Sequence, residues 1–141
     1  MPRSSARLRT PAGLAAALVL AAAGVAVTAP PASAAAYNGV CGKGYTVALS
    51  LRIGPKSGSA VGTVYLAYNA ATGHKCAVTV KNDTVPRKTS VFLRVGGKTA
   101  KDSGTFTSYA GPVRVRAAGQ CVDFGGSIGN DDNSATKVYC K

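Results

Sequence analysis

Four cysteines, Cys41, Cys76, Cys121 and Cys140, limit what this chain can fold into more than any other feature. They are separated by 35, 45 and 19 residues. Zinc sites draw ligands in close pairs such as C-x-x-C, completed by further cysteines or histidines. No such pair is present, and His74 is the only histidine. What the sulfurs become therefore depends on compartment, since thiols stay reduced in the cytosol and oxidise outside the cell.

The N-terminus answers that question. Arg3, Arg7 and Arg9 come without an acid, an apolar run follows from Leu14 to Val27, and after Pro30 and Pro31 comes Ala32-Ser33-Ala34. Positive, apolar and small-residue regions in that order make a secretory signal peptide. The apolar run is about 14 residues, whereas a membrane-spanning helix takes roughly 20, so no stable membrane anchor is expected. The arginines are not adjacent, which removes the twin-arginine signal. Cys41 lacks the leucine-containing box of a lipoprotein, since Asn38, Gly39 and Val40 precede it. Cleavage after Ala34 and after Ala36 both fit.

Residues 1–34 are thus read as the signal, and 35–141 as one secreted domain. The net charge falls from +12 for the whole chain to +9 for the remainder, which keeps fourteen basic and five acidic residues. Export turns an even cysteine count into two disulfides. Of the three pairings, Cys41–Cys76 with Cys121–Cys140 is the simplest. Each bridge would contribute roughly 3 kcal/mol by restricting the unfolded chain. A domain this small has a modest core and gains from such staples.

Beyond Ala36 the periodicity is that of strands. Short β-branched and aromatic runs alternate with Gly, Pro and Asn clusters. The runs are Tyr45–Ile53, Gly62–Tyr68, His74–Lys81, Thr89–Val95, Gly104–Tyr109 and Gly111–Ala118. A Gly96-Gly97 turn leads into Lys98, and a corner at Ala110-Gly111-Pro112 separates the last two runs. Residues 124–134 read as a long loop, and Lys137–Cys140 as a short returning edge strand. Period-2 patterning puts Val78 and Val80 inward with Thr79 and Lys81 outward, and the arginines of Val113-Arg114-Val115-Arg116 outward. The fold class is all-β: a small antiparallel barrel or sandwich of about six to seven short strands with two disulfides.

Catalytic readings find little material. Glu is absent, and the acids are Asp83, Asp102, Asp123, Asp131 and Asp132. All but Asp123 sit in predicted turns, where Asp serves by bonding nearby amides. Paired carboxylates with separated acidities, which general acid–base chemistry uses, are not evident. No G-x-S-x-G elbow accompanies His74, and no phosphate loop or dinucleotide fingerprint occurs. No enzyme activity, cofactor or metal is expected.

Binding is the better expectation. Lys81, Arg94, Arg114 and Arg116 fall on outward positions of three predicted strands and would form a cationic stripe if those strands were neighbours. Anionic wall polymers suit such a stripe. Nucleic acid does not, because single strands also want interleaved aromatics, and only Tyr65 and Phe92 offer themselves. Phe124, in the predicted loop, is the candidate for a presented hydrophobic contact, as in an extracellular binding module or inhibitor whose ligand is a glycan, a protease or a polyanion. Six tyrosines and no tryptophan leave only a thin row of rings for sugar stacking.

The order of these segments resembles one known family. Residues 36–45 (AYNGVCGKGY), 62–69 (GTVYLAYN) with 75–80 (KCAVTV), 109–113 (YAGPV), 118–128 (AGQCVDFGGSI) and the closing 138–140 (VYC) are similar, in matching order and with all four cysteines, to the spore-associated protein A family of filamentous actinobacteria. The family usually has Trp where this chain has Phe124, and its members are generally less basic. The resemblance implies a secreted, non-enzymatic protein of the spore or hyphal surface, whose partner is the envelope.

Overall fold

The computed structural model describes residues 36–141; the expected signal peptide lies outside the described residues. Eight strands follow one another: β1 (Thr46–Ile53), β2 (Gly62–Asn69), β3 (His74–Lys81), β4 (Arg87–Val95), β5 (Lys98–Phe106), β6 (Tyr109–Arg116), β7 (Val122–Ile128) and β8 (Asp131–Val138). They form two antiparallel four-stranded sheets, ordered β1-β2-β3-β6 and β5-β4-β7-β8. The all-β class holds, and the edges decide between barrel and sandwich. Where the sheets meet, no backbone ladder closes them among the described residues. On one side Asn133 Nδ2 on β8 donates to the Arg52 carbonyl on β1 at 2.7 Å. On the other, the Gly111 amide of β6 donates to Asp102 Oδ2 of β5 at 2.8 Å. The molecule is a sandwich.

Two sequence expectations are corrected. The corner at Gly111-Pro112 does not end a strand: β6 runs through a cis Gly111–Pro112 peptide. It is an edge strand bonded to β3 alone, where a residue without an N–H is tolerated. The register steps from Ala77↔Val113 to Thr79↔Ala110, so two residues bulge opposite one. The loop at 124–134 is the second correction. It is two strands, β7 and β8, joined by a tight turn at Gly129 and Asn130. Asp131 and Asp132 pair with Ile128 and Ser127 in the ladder, and Asp102 also lies in a strand.

Glycine inside β7 misleads because it serves packing. A Cβ on Gly126 would overlap the Thr79 side chain of the facing sheet and lie 2.9 Å from the Ser90 carbonyl. The two sheets approach closely here, with Thr79 Oγ1 donating to the Ser90 carbonyl at 2.8 Å.

The main core lies between the sheets and contains Ile53, Val64, Leu66, Val91, Leu93, Val113, Val122, Phe124 and Ile128. β4 follows its alternation, with Val91, Leu93 and Val95 buried and Arg94 exposed. β3 is inverted relative to expectation. Cys76, Val78 and Val80 point away from the main core, into a second apolar cluster with Tyr65 and Ala67. The N-terminal segment covers that cluster with Tyr37 and Val40, and Tyr37 meets Tyr65 edge-on at 5.6 Å. Cys41–Cys76 ties the cover down, and Cys121–Cys140 joins the start of β7 to the chain beyond β8. The other face of β3 carries Lys75, Ala77, Thr79 and Lys81 inward, all buried.

Candidate functional site

A lysine on the inner face of a sandwich has to reach oxygen, and both β3 lysines do so at opposite ends of the molecule. The Lys75 ammonium donates to the carbonyls of Gln120 at 2.5 Å and Tyr139 at 2.6 Å. Tyr68 and Tyr139 present their rings to it at 5.9 and 5.2 Å. Among the described residues no carboxylate pairs with it, and burial lowers the Lys75 pKa from its ordinary 10.5. Tyr139 has φ +46°, a left-handed conformation costing on the order of 1 kcal/mol, offset by its hydrogen bond to Lys75 and the adjoining disulfide.

Lys81 organises the opposite end. Its side chain is fully buried, and its ammonium donates to the carbonyls of Val85, Phe106 and Thr107. Asp83 Oδ1 stands 3.5 Å away, and Asp83 Oδ2 takes a hydrogen bond from Arg87 at 3.0 Å. One cation thereby pins the 82–86 connection and the turn between β5 and β6. The Val85 amide also donates to Asp83 Oδ1 at 3.1 Å. Loops fixed this way lose little freedom when something binds to them.

Two open clefts meet at this end. One, of about 350 Å³, lies between Asn38 of the N-terminal cover, the end of β3, Thr84 and Tyr109. The other, of about 380 Å³, lies between Phe106, Thr107 and Tyr109. Ser108 and Tyr109 line both. Among the described residues three large hydrophobic side chains are exposed, and two of them, Val85 at 53% and Tyr109 at 37%, lie in or directly after the segments that Lys81 pins.

The residues singled out from sequence are not brought together. Lys81 is inward and bound to carbonyls, because two loop ends there leave backbone acceptors that outweigh its affinity for water. Thr79, also expected outside, is buried against β4. Phe124 is in the core at 0% exposure, since β7 is a strand and its inward position receives it. Arg114 and Arg116 lie on the outer face of the β1-β2-β3-β6 sheet, and Arg94 lies on the outer face of the other sheet. The expected stripe is thus split across opposite sides of the sandwich. Arg114 is already engaged: it donates to the Cys41 carbonyl at 2.8 Å and sits over Tyr45 at 5.9 Å, holding the N-terminal cover. Arg94 lies over Phe92 at 5.6 Å and 3.8 Å from Asp123. Tyr109 and Val85 were not foreseen as a site. Their signal in the sequence is faint, an aromatic before Ala-Gly-Pro and a lone apolar residue before a proline.

These features define a small β-sandwich stapled by two disulfides, with two clefts lined by Tyr109 at the end that Lys81 organises. Spore-associated protein A of Streptomyces coelicolor is 49% identical to this chain over 117 residues, covering 77% of this chain and 73% of that protein. The chain belongs to the spore-associated protein A family. No family model matches it, and no solved structure matches it.

Proposed function

We propose that this protein is a secreted, non-enzymatic component of the spore or hyphal surface that works by adhering to the envelope. The observation that carries the reading is the 49% identity to a protein named for its association with spores. Two disulfides in a domain of this size suit an oxidising place outside the cell. The non-enzymatic part is supported by how three of the five acids are used. Asp83 is taken by Lys81 and Arg87, Asp102 by the Gly111 amide, and Asp123 by the Lys137 amide at 2.8 Å. The net charge favours approach to anionic wall polymers as a long-range attraction spread over the surface.

Fractionation of a sporulating culture tests this. The protein is expected on washed spores or aerial hyphae and absent from the cytosol. Recovery wholly in culture fluid, with none retained on spores after a low-salt wash, would sink the proposal.

A further inference from the structure

A buried ammonium pins the connection that carries exposed Val85 and the turn just before exposed Tyr109, the first residue of β6. Burying a charge costs several kcal/mol unless hydrogen bonds repay it. Here the repayment fixes the backbone that carries Val85, and the turn that leads into Tyr109. Tyr109 lines two clefts with Ser108, each at the small end of the size range of ligand sites.

The chemistry of the walls selects the ligand. Among the described residues no unpaired charge faces the clefts: Lys81 turns its ammonium to carbonyls, and Asp83 lies between Lys81 and Arg87. Besides these the walls carry the amides of Asn38 and Asn82, the hydroxyls of Thr84, Thr107 and Ser108, and apolar surface from Val80, Phe106 and Tyr109. Amides and hydroxyls both donate and accept, as sugar hydroxyls do. A partly exposed ring with a polar tip offers an apolar face for the C–H side of a pyranose and leaves its hydroxyl in water. An anion would find no partner here, although the chain is strongly basic elsewhere.

We propose that the two clefts lined by Tyr109 bind a neutral glycan chain, with one sugar in each cleft. The proposal rests on the envelope reading, and it names the component recognised. Binding here is short-range and insensitive to salt, in contrast to the diffuse attraction of net charge.

The test is calorimetric titration of the disulfide-bonded protein with chitohexaose and cellohexaose, and with polygalacturonate as an anionic probe. At least one neutral oligosaccharide is expected to bind, with affinity changing less than about twofold between roughly 50 and 500 mM salt. Tyr109→Ala should weaken that binding about tenfold or more, while Tyr109→Phe stays within about threefold. Thermal unfolding of Tyr109→Phe should match the parent, and Tyr109→Ala, which loses a ring only 37% exposed, should melt lower but stay folded at the titration temperature. Failure of both neutral oligosaccharides to bind, equal affinity for Tyr109→Ala, or binding of polygalacturonate alone with loss at high salt would overturn the proposal. Oligosaccharide binding by a protein that never reaches spores would overturn the envelope reading and leave this site standing. Spore retention that survives Tyr109→Ala, with no oligosaccharide bound, would do the reverse.

Discussion

Replacing Lys81 by Met asks directly whether a buried cation holds the cleft end together. Met keeps most of the length and apolar volume, so little cavity opens. What disappears is the donor shared by the carbonyls of Val85, Phe106 and Thr107, and the charge facing Asp83. A hydrogen bond to a charged group contributes about 1.5–3 kcal/mol, and an orphaned buried carbonyl costs about 1–3 kcal/mol. Three such acceptors would suggest well over 5 kcal/mol, but desolvation of the ammonium is recovered, and Arg87 still pairs Asp83. The expected net loss is about 3 kcal/mol, or a melting temperature lower by about 15 °C for a domain of this size. Guanidinium unfolding measures the loss, and amide exchange locates it: protection should fall across residues 82–86 and 106–108 and persist in β4 and β7. A variant as stable as the parent, with unchanged protection in those two segments, would refute the idea that Lys81 pins them.

Three further outcomes are expected. Gly126→Ala should destabilise by at least about 2 kcal/mol in urea, because its methyl meets Thr79 and the Ser90 carbonyl, whereas Gly129→Ala, with open space but φ +61°, should cost only about 1 kcal/mol. Equal effects would deny the close sheet approach. Thr63→Val should raise stability by about 1 kcal/mol, since Thr63 Oγ1 is buried without a hydrogen-bond partner; a loss of stability on denaturant titration would contradict this. Lys75 has a lowered pKa when folded, so between that value and 10.5 the unfolded chain binds more protons and the group's contribution to stability rises with pH. Parent minus Lys75→Met stability should therefore increase from neutral pH toward 10.5 in paired unfolding curves; a flat or falling difference would count against it.

Much of the fold was legible because alternation has a physical cause. In β4 one face meets the core and the other meets water, and Val91, Leu93 and Val95 declare it. β3 shows the limit of that signal. Period 2 assigns residues to two faces without saying which face is the core, and here both are covered. Lysines ordinarily mark the wet side, but Lys75 and Lys81 sit at the ends of the strand, where loop carbonyls stand in for water. One clue was available: Cys76 shares its face with Val78 and Val80, and its bond to Cys41 draws the N-terminal segment over them. β7 and β8 were missed because Gly125, Gly126 and the paired aspartates read as loop. The glycines are required instead by near contacts, with Phe92 and Ser134 within 2.7 Å of a Cβ on Gly125. The candidate site was almost illegible, since it depends on which loops meet at one end, a property of strand order and not of local pattern.

The two hydrogen bonds that close the sandwich edges have a consequence for self-association. An open edge offers a row of unpaired backbone groups on which another strand can dock, and four such edges would invite stacking into fibres. Here a side chain of one edge strand occupies a backbone group of its neighbour, Asn133 on Arg52 and Asp102 on Gly111, so the docking row is interrupted on both flanks. Crowding many copies onto one surface then raises their density without seeding a shared sheet.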